Sequence, residues 1–308
     1  MKYQEFIEKM KQTIENEVGD GYQVEVRKVP GLNGQEKTGL TIAEKAGKNR
    51  IVPVIYLEEI YELFLQEEDL VPCVREVLEL YREKKQKAES GELLDLGNLE
   101  TWEGVKNRIY PILVAESENE GMKESYMHRK YLDLMILYTI RISADEIGTI
   151  KIKKDMAAKW GITEAELYAR AMENLQEDGY TMMDLEQLLD EMILGIEDKE
   201  KSDNWEDLSP RMYVLTNSQK YFGAAGMILS PQLVKERLGR TNFYILPSSI
   251  HEVMILPDNK KFEAKELIQM VQNVNEECVM PEEKLADHVY YFDWVKRKMV
   301  IWKKKNAC

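Results

Sequence analysis

The chain has 308 residues, of which 44% are apolar and 32% are charged, a composition that can bury a core and differs from that of disordered chains. Its net charge of −14 argues against nonspecific nucleic-acid binding, because such binding requires neutralisation of phosphates. No stretch reaches the ~20 apolar residues of a membrane helix, and the charged amino terminus lacks the apolar region of a signal peptide. These features predict a soluble cytoplasmic protein that is not membrane-bound.

Cysteine and histidine are both scarce. The three cysteines, Cys73, Cys278 and Cys308, lie far apart and form no C-x-x-C pair, which disfavours a disulfide framework. The chain has three histidines, and none of them has zinc-ligand spacing to a cysteine. We therefore expect neither a bound metal nor a cofactor.

Residues 1–95 predict a small α+β domain. A helix is expected over Tyr3–Val18 because its apolar residues recur at spacings of three and four and Gly19 follows as a stop signal. Asn33-Gly34 is a turn signal between two alternating strands. A third strand is expected at 51–56, and helices follow from Glu58 and over 72–87. The polar, glycine-punctuated stretch 88–98 marks the predicted domain boundary.

Residues 96–308 predict a larger α+β domain. Strands are expected at 109–115, 131–140 and 148–152, and a helix is expected after the capping box of Thr163 and Glu166. A second helix is predicted to start at Thr181. The part 208–308 is expected to be rich in strands, one of them at 222–229. The fold class predicted for the whole chain is α+β, with mixed, mostly antiparallel sheets and helices packed on them.

Most of the negative charge is concentrated in residues 164–207, which we call the acidic segment. It holds fifteen acidic residues against three basic ones, a local net charge of −12. Helical periodicity places six carboxylates mostly on outer faces, namely Glu173, Glu177, Asp184, Glu186, Asp190 and Glu191. This charge could attract a basic protein partner, whereas the alternative is a solvated surface that serves solubility alone.

Five sequence blocks are similar to those of a family of uncharacterised bacterial proteins, mostly from anaerobic Gram-positive gut bacteria. The blocks are LDLMILY at 132–138, KWGITEAELYARAMENL at 159–175, YVLTN at 213–217, GAAGMIL at 223–229 and ILPSSIHEVMILP at 245–257. Their order also resembles a broader uncharacterised family with a WGI–EL–A–NL helix and a Leu-Pro strand pair. The resemblance implies a shared fold and no particular activity.

The strongest chemical candidate lies between two apolar strands, in the motif Leu246-Pro-Ser-Ser-Ile-His-Glu252. Ser249, His251 and Glu252 supply a hydroxyl, an imidazole and a carboxylate, which suit general-base or nucleophilic chemistry. The structural alternative is a turn in which serine hydroxyls bond to the backbone. Adjacent residues on a regular strand point to opposite faces, so His251 and Glu252 would not face one substrate together.

A second cluster, His288, Tyr291 and Asp293, lies near the carboxyl end. Tyr291 and Asp293 share a face of their predicted strand and would complete a site if that face lay beside His251. The alternative is a tyrosine-rich sheet surface. The glycines of GAAG lack the following Gly-Lys-Ser/Thr of a phosphate loop, so nucleotide binding is not predicted.

We interpret the chain as a non-catalytic interaction or regulatory protein, in which the acidic segment binds a basic partner. The alternative is a hydrolase-like enzyme with its site around His251 and Glu252, completed by Ser249, Tyr291 and Asp293. The two interpretations differ in one geometric requirement, since only the enzyme needs these side chains to converge.

Overall fold

The computed structural model describes residues 1–46, 52–90, 96–142, 148–194, 211–247 and 249–302. The protein is 45% helix and 27% strand, with three antiparallel sheets, which confirms the α+β prediction. The chain divides into two compact units, Met1–Val105 with Ile142–Gly148, and Lys106–Arg141 with Thr149–Cys308. Within the described residues, none of the helices has the length and apolarity that crossing a membrane requires.

In its described residues, unit 1 combines a three-stranded sheet with three long helices and two short ones. Its helices are α1 (Tyr3–Val18), α2 (Leu57–Glu67), α3 (Leu70–Ser90), α4 (Leu96–Leu99) and α5 (Trp102–Val105). Its strands are β1 (Tyr22–Pro30), β2 (Glu36–Glu44) and β3 (Ile55–Tyr56), in the order β1-β2-β3. Asn33 and Gly34 have φ values of 53° and 68°, so the predicted turn between β1 and β2 is present.

The core of unit 1 follows from the periodicity of α1. This helix buries Phe6, Ile7, Met10 and Ile14, as its apolar spacing predicts. The same cluster contains Leu40 and Ile42 from β2 and residues from α2 and α3. Burial of these side chains stabilises the unit through the hydrophobic effect.

Unit 2 contains the remaining two sheets. Its helices are α6 (Lys154–Trp160), α7 (Glu164–Glu177), α8 (Leu185–Leu194), α9 (Ser230–Leu238) and α10 (Ala264–Glu277). Its strands are β4 (Ile109–Ala115), β5 (His128–Tyr131), β6 (Leu134–Arg141), β7 (Thr149–Lys151), β8 (Thr181–Asp184), β9 (Tyr213–Thr216), β10 (Phe243–Leu246), β11 (Val253–Pro257), β12 (Tyr290–Asp293) and β13 (Lys298–Ile301). Three 3-10 helices span Lys106–Arg108, Ser117–Glu124 and Gly223–Ile228.

In the four-stranded sheet, β6 pairs with β4 on one side and with β5 and β7 on the other. The helix α7 packs on β4, and Asn174 fixes its position by donating to the carbonyl oxygens of Lys106 and Ile109, both at 2.8 Å. The capping box of Thr163 and Glu166 begins this helix, as the sequence predicts.

The six-stranded sheet has the order β13-β12-β10-β11-β9-β8. One face is covered by α10, whose Leu267 and Val271 pack against a cluster that includes Tyr244, Leu246 and Leu256. Within the described residues β8 pairs with β9 alone, so β8 and β13 are the two edges of this sheet.

Three predicted elements of unit 2 differ from the structure. Residues 131–140 form a hairpin rather than one strand, because Leu132 turns the chain with a φ of 59°. The predicted helix at Thr181 starts only at Leu185, since residues 181–184 pair with β9. Of the predicted strand 222–229, Gly223–Ile228 form a 3-10 helix instead.

The third of these differences depends on close tertiary packing. A Cβ atom on Gly223 would lie 2.3 Å from Thr216 Oγ1 and 2.4 Å from the His251 carbonyl oxygen. A Cβ atom on Gly226 would lie 2.4 Å from the Tyr180 ring. The glycines therefore allow a buried turn of helix where an apolar run by itself indicates a strand.

Candidate functional site

His251 lies in the connection between β10 and β11, and both of its ring nitrogens contact other residues. The Phe222 N–H donates to Nδ1 at 3.3 Å, and Nε2 lies 3.3 Å from Oε1 of Glu283. The ring packs against those of Tyr221 and Phe222, with centroids 4.9 and 5.8 Å away. These contacts hold the imidazole between the loop before the 3-10 helix and the chain before β12.

Of the other predicted site residues, Ser249 forms a hydrogen bond with His251. Its hydroxyl accepts a hydrogen bond from the His251 N–H at 3.0 Å. Glu252 follows, half-buried, and Ser248 lies outside the described residues. Ser249 thus bonds to the backbone of its own turn, as expected if the motif is a structural turn and not a catalytic site.

Tyr291 and Asp293 lie elsewhere on the six-stranded sheet. The Tyr291 hydroxyl donates to Asp258 at 2.9 Å and accepts from Asn242 at 2.8 Å. Asp293 accepts hydrogen bonds from the backbone of the turn before β13 and forms an ion pair with Lys296. Residue 243 of β10 pairs with 292 and residue 246 pairs with 254, so Asp293 and His251 lie at opposite ends of β10.

The structure brings His288 of the second cluster next to Asp133, which lies between β5 and β6. The Tyr290 hydroxyl donates to Asp133 Oδ1 at 2.8 Å. His288 Nε2 lies 3.0 Å from Oδ2, an ion-pair distance without the alignment of a hydrogen bond. Burial raises the pKa of Asp133, but its contacts with His288 and Tyr290 outweigh burial and hold that pKa below its usual value. No local signal could have joined these residues, because Asp133 and Tyr290 are 157 positions apart.

Arg141 and Asp178 form a buried, bidentate ion pair at the end of β6. Their side chains are 14% and 6% exposed, and Arg141 Nη2 lies 2.7 Å from Asp178 Oδ2. The Arg141 guanidinium also lies 3.5 Å from the centroid of the Tyr110 ring, and Asn217 donates to Asp178 Oδ2 at 3.2 Å. The pair connects residues next to α7, β6 and β9, which is a structural role.

A cleft of about 610 Å³ lies at the β8 edge of the six-stranded sheet. Its volume is in the range of roughly 300–1,000 Å³ that is typical of ligand sites. It is lined by residues 180–184, Gln187 and Leu188 of the acidic segment and by Leu233, Glu236 and Arg237 of α9. The acidic segment therefore forms one wall of a concave site, which charge patterning by itself does not predict.

Two residues of β8 have main-chain groups that do not pair with β9. The Leu185 N–H donates to the Met212 carbonyl at 2.9 Å, so residues 185 and 212 form a hydrogen-bonded pair. Hydrogen-bonded and non-hydrogen-bonded pairs alternate along an antiparallel ladder. Met182 consequently directs its N–H and C=O groups away from β9, and so does the Asp184 N–H, whereas the Asp184 C=O accepts the first hydrogen bond of α8.

Four of the six carboxylates predicted on outer faces have described side chains, and three of these four are exposed. Glu173, Glu177 and Glu186 are exposed as expected, whereas Asp184 is half-buried and accepts from the Glu186 N–H at 3.0 Å. The side chains of Asp190 and Glu191, like residues 195–207, lie outside the described residues.

Two further carboxylates of the segment form ion pairs with arginine side chains of unit 2. Glu164 binds Arg129 through two hydrogen bonds of 2.8 Å, and Asp178 binds Arg141. Burial raises the pKa of Glu164, but the hydrogen bonds from Arg129 and Tyr138 outweigh burial and hold it below its usual value.

In the part of the chain that the structure describes, no three His, Cys, Asp or Glu residues form a group that could hold a metal ion.

The fold and the site define an α+β protein with a cleft at the edge of a sheet. The chain belongs to a family of unknown function, DUF5688, whose model matches residues 3–294. The resemblance to an uncharacterised family is thus confirmed at the level of family. No curated protein and no solved structure matches the chain.

Proposed function

We propose that this is a non-catalytic interaction protein of the cytoplasm, which binds a basic region of a partner protein through the acidic segment. The observation that carries the proposal is the cleft, because seven of its ten lining residues belong to that segment. Concave sites with a few polar groups are the usual places where proteins bind ligands.

Charge supports a basic partner in particular. Glu173, Glu177 and Glu186 are exposed, and the segment has a net charge of −12. Such a field reaches about one Debye length, ~8 Å at physiological salt, and raises the association rate of an oppositely charged partner.

The hydrolase-like alternative has less support. A general base needs a ring nitrogen that is within reach of its substrate. In His251 one nitrogen accepts from the Phe222 N–H and the other lies beside Glu283, while Tyr291 and Asp293 have partners of their own.

Affinity capture with a charge-reversed variant tests the proposal. The wild-type chain and the triple variant Glu173→Lys, Glu177→Lys, Glu186→Lys are immobilised, and a lysate of an anaerobic Gram-positive gut bacterium is passed over each. We expect a basic protein to bind the wild type, to elute as salt is raised to about 0.5 M, and to be lost from the variant.

The matched control carries the same charge change on α2 of unit 1, as Glu59→Lys, Glu62→Lys, Glu67→Lys. These three glutamates are also exposed. The control should capture the same partner as the wild type. Capture that survives both the reversal and high salt would show that the acidic surface is only solvated.

A further inference from the structure

We propose that the cleft binds an extended peptide of alternating apolar and basic residues, which pairs with β8 as an additional strand of the six-stranded sheet. This inference rests on the proposed function and specifies how the partner binds. The binding mode is β-augmentation, in which main-chain hydrogen bonds provide affinity and alternate side chains provide specificity.

The main-chain groups needed for such pairing face the cleft. Met182 directs one N–H and one C=O away from β9, and Asp184 directs its N–H there, while the Asp184 C=O accepts the first hydrogen bond of α8. The four residues of β8 are all part of the cleft wall. At ~3.3 Å per residue this strand offers about 13 Å of edge, enough to pair with four residues of a partner.

The side chains around this edge select the composition of the peptide. Met183, Leu188 and Leu233 give the cleft an apolar surface, and Asp184 and Glu236 add two carboxylates. The Arg237 guanidinium, which also lines the cleft, lies 5.4 Å from the centroid of the Tyr213 ring. Side chains of a bound strand alternate between two faces, so apolar and basic residues at alternate positions match this lining.

A comparison with two other edge strands, β1 and β13, supports the same conclusion. Edge strands are commonly protected against pairing by lysine or proline. The strand β1 of unit 1 has Lys28 and Pro30, and β13 has Lys298, whereas β8 has neither residue type. The sequence of β8 thus lacks the lysine or proline that β1 and β13 have.

Binding of a defined probe to the full chain tests this inference. The probe is a fluorescein-labelled hexapeptide of alternating lysine and valine, and fluorescence anisotropy gives its Kd. Two further probes carry N-methyl groups, one on the three lysines and the other on the three valines. Since N–H groups of one strand edge belong to alternate residues, we expect one N-methylated probe to bind about tenfold more weakly and the other to bind like the parent.

Variants of the protein locate the bound strand. Met182→Pro removes an N–H that faces the cleft and leaves the pairing with β9 in place, so it should weaken binding about tenfold. Asp184→Asn with Glu236→Gln should weaken binding and reduce its dependence on salt. The matched charge control, Glu62→Gln with Glu67→Gln, should bind like the wild type.

The outcomes separate this inference from the proposed function. Equal binding of all three probes, or no binding of the parent probe, would overturn pairing with β8 even if a basic protein is captured through the exposed glutamates. If the wild type captured no basic protein in the lysate experiment, the proposed function would be refuted instead. The N-methylated probes require only the wild-type chain, so the test holds even if Met182→Pro does not fold.

Discussion

Replacing Asp178 with alanine should strongly destabilise unit 2. The substitution leaves the Arg141 guanidinium, whose side chain is 14% exposed, without its carboxylate. Breaking a buried ion pair by removal of one partner costs about 3–5 kcal/mol, and Asn217 loses an acceptor as well. We therefore expect a loss of about 4 kcal/mol in the free energy of unfolding, moderated by the contact of Arg141 with the Tyr110 ring.

Removal of both charges should cost less than removal of one. In the double variant Arg141→Met, Asp178→Ala no buried charge is left without a partner, so we expect about half the loss of the single variant. Urea unfolding followed by tryptophan fluorescence measures the free energy of unfolding of both variants, since four of the five tryptophans are in unit 2. With a slope of ~2 kcal/mol per molar urea, the single variant should lower the midpoint by about 2 M.

The matched control is the exposed pair of Arg170 and Glu173. Glu173 is 62% exposed, and exposed pairs contribute about 0–1 kcal/mol, so Glu173→Ala should change the midpoint little. If Asp178→Ala shifted the midpoint no more than this control does, the reasoning about the buried pair would be refuted.

Two further predictions concern single side chains of unit 2. The pKa of Glu164 is lower in the folded protein than its ordinary value of ~4.3. The carboxylate therefore contributes stability above the unfolded pKa, and this contribution is lost as pH falls through the folded pKa. Glu164→Gln should destabilise the protein at neutral pH, and the stabilities of variant and wild type should converge in acid. Urea midpoints measured across the pH range test this, and a difference independent of pH would contradict it. His251→Ala should lower the free energy of unfolding by ~1–3 kcal/mol, because the Phe222 N–H loses its acceptor, and an unchanged thermal midpoint would argue against a structural role.

Local sequence signals were sufficient for much of the fold. The bounds of α1 and β4 were predicted to the residue, and so was the capping box of α7. Each of these elements has its signal within a few neighbouring residues, as apolar periodicity, a turn dipeptide or a cap. The composition also determined the concentration of negative charge in the acidic segment.

Only the tertiary structure decided which of these residues meet. The segment 181–184 is a strand because β9, some thirty positions further along the chain, pairs with it, and this pairing overrides its helical pattern. Asp133 and Tyr290 are likewise joined over 157 positions. Periodicity records which face of an element is apolar, but not which distant element covers that face. The position of the cleft beside the acidic segment depends on that choice of partners, and therefore on the packing of the whole unit.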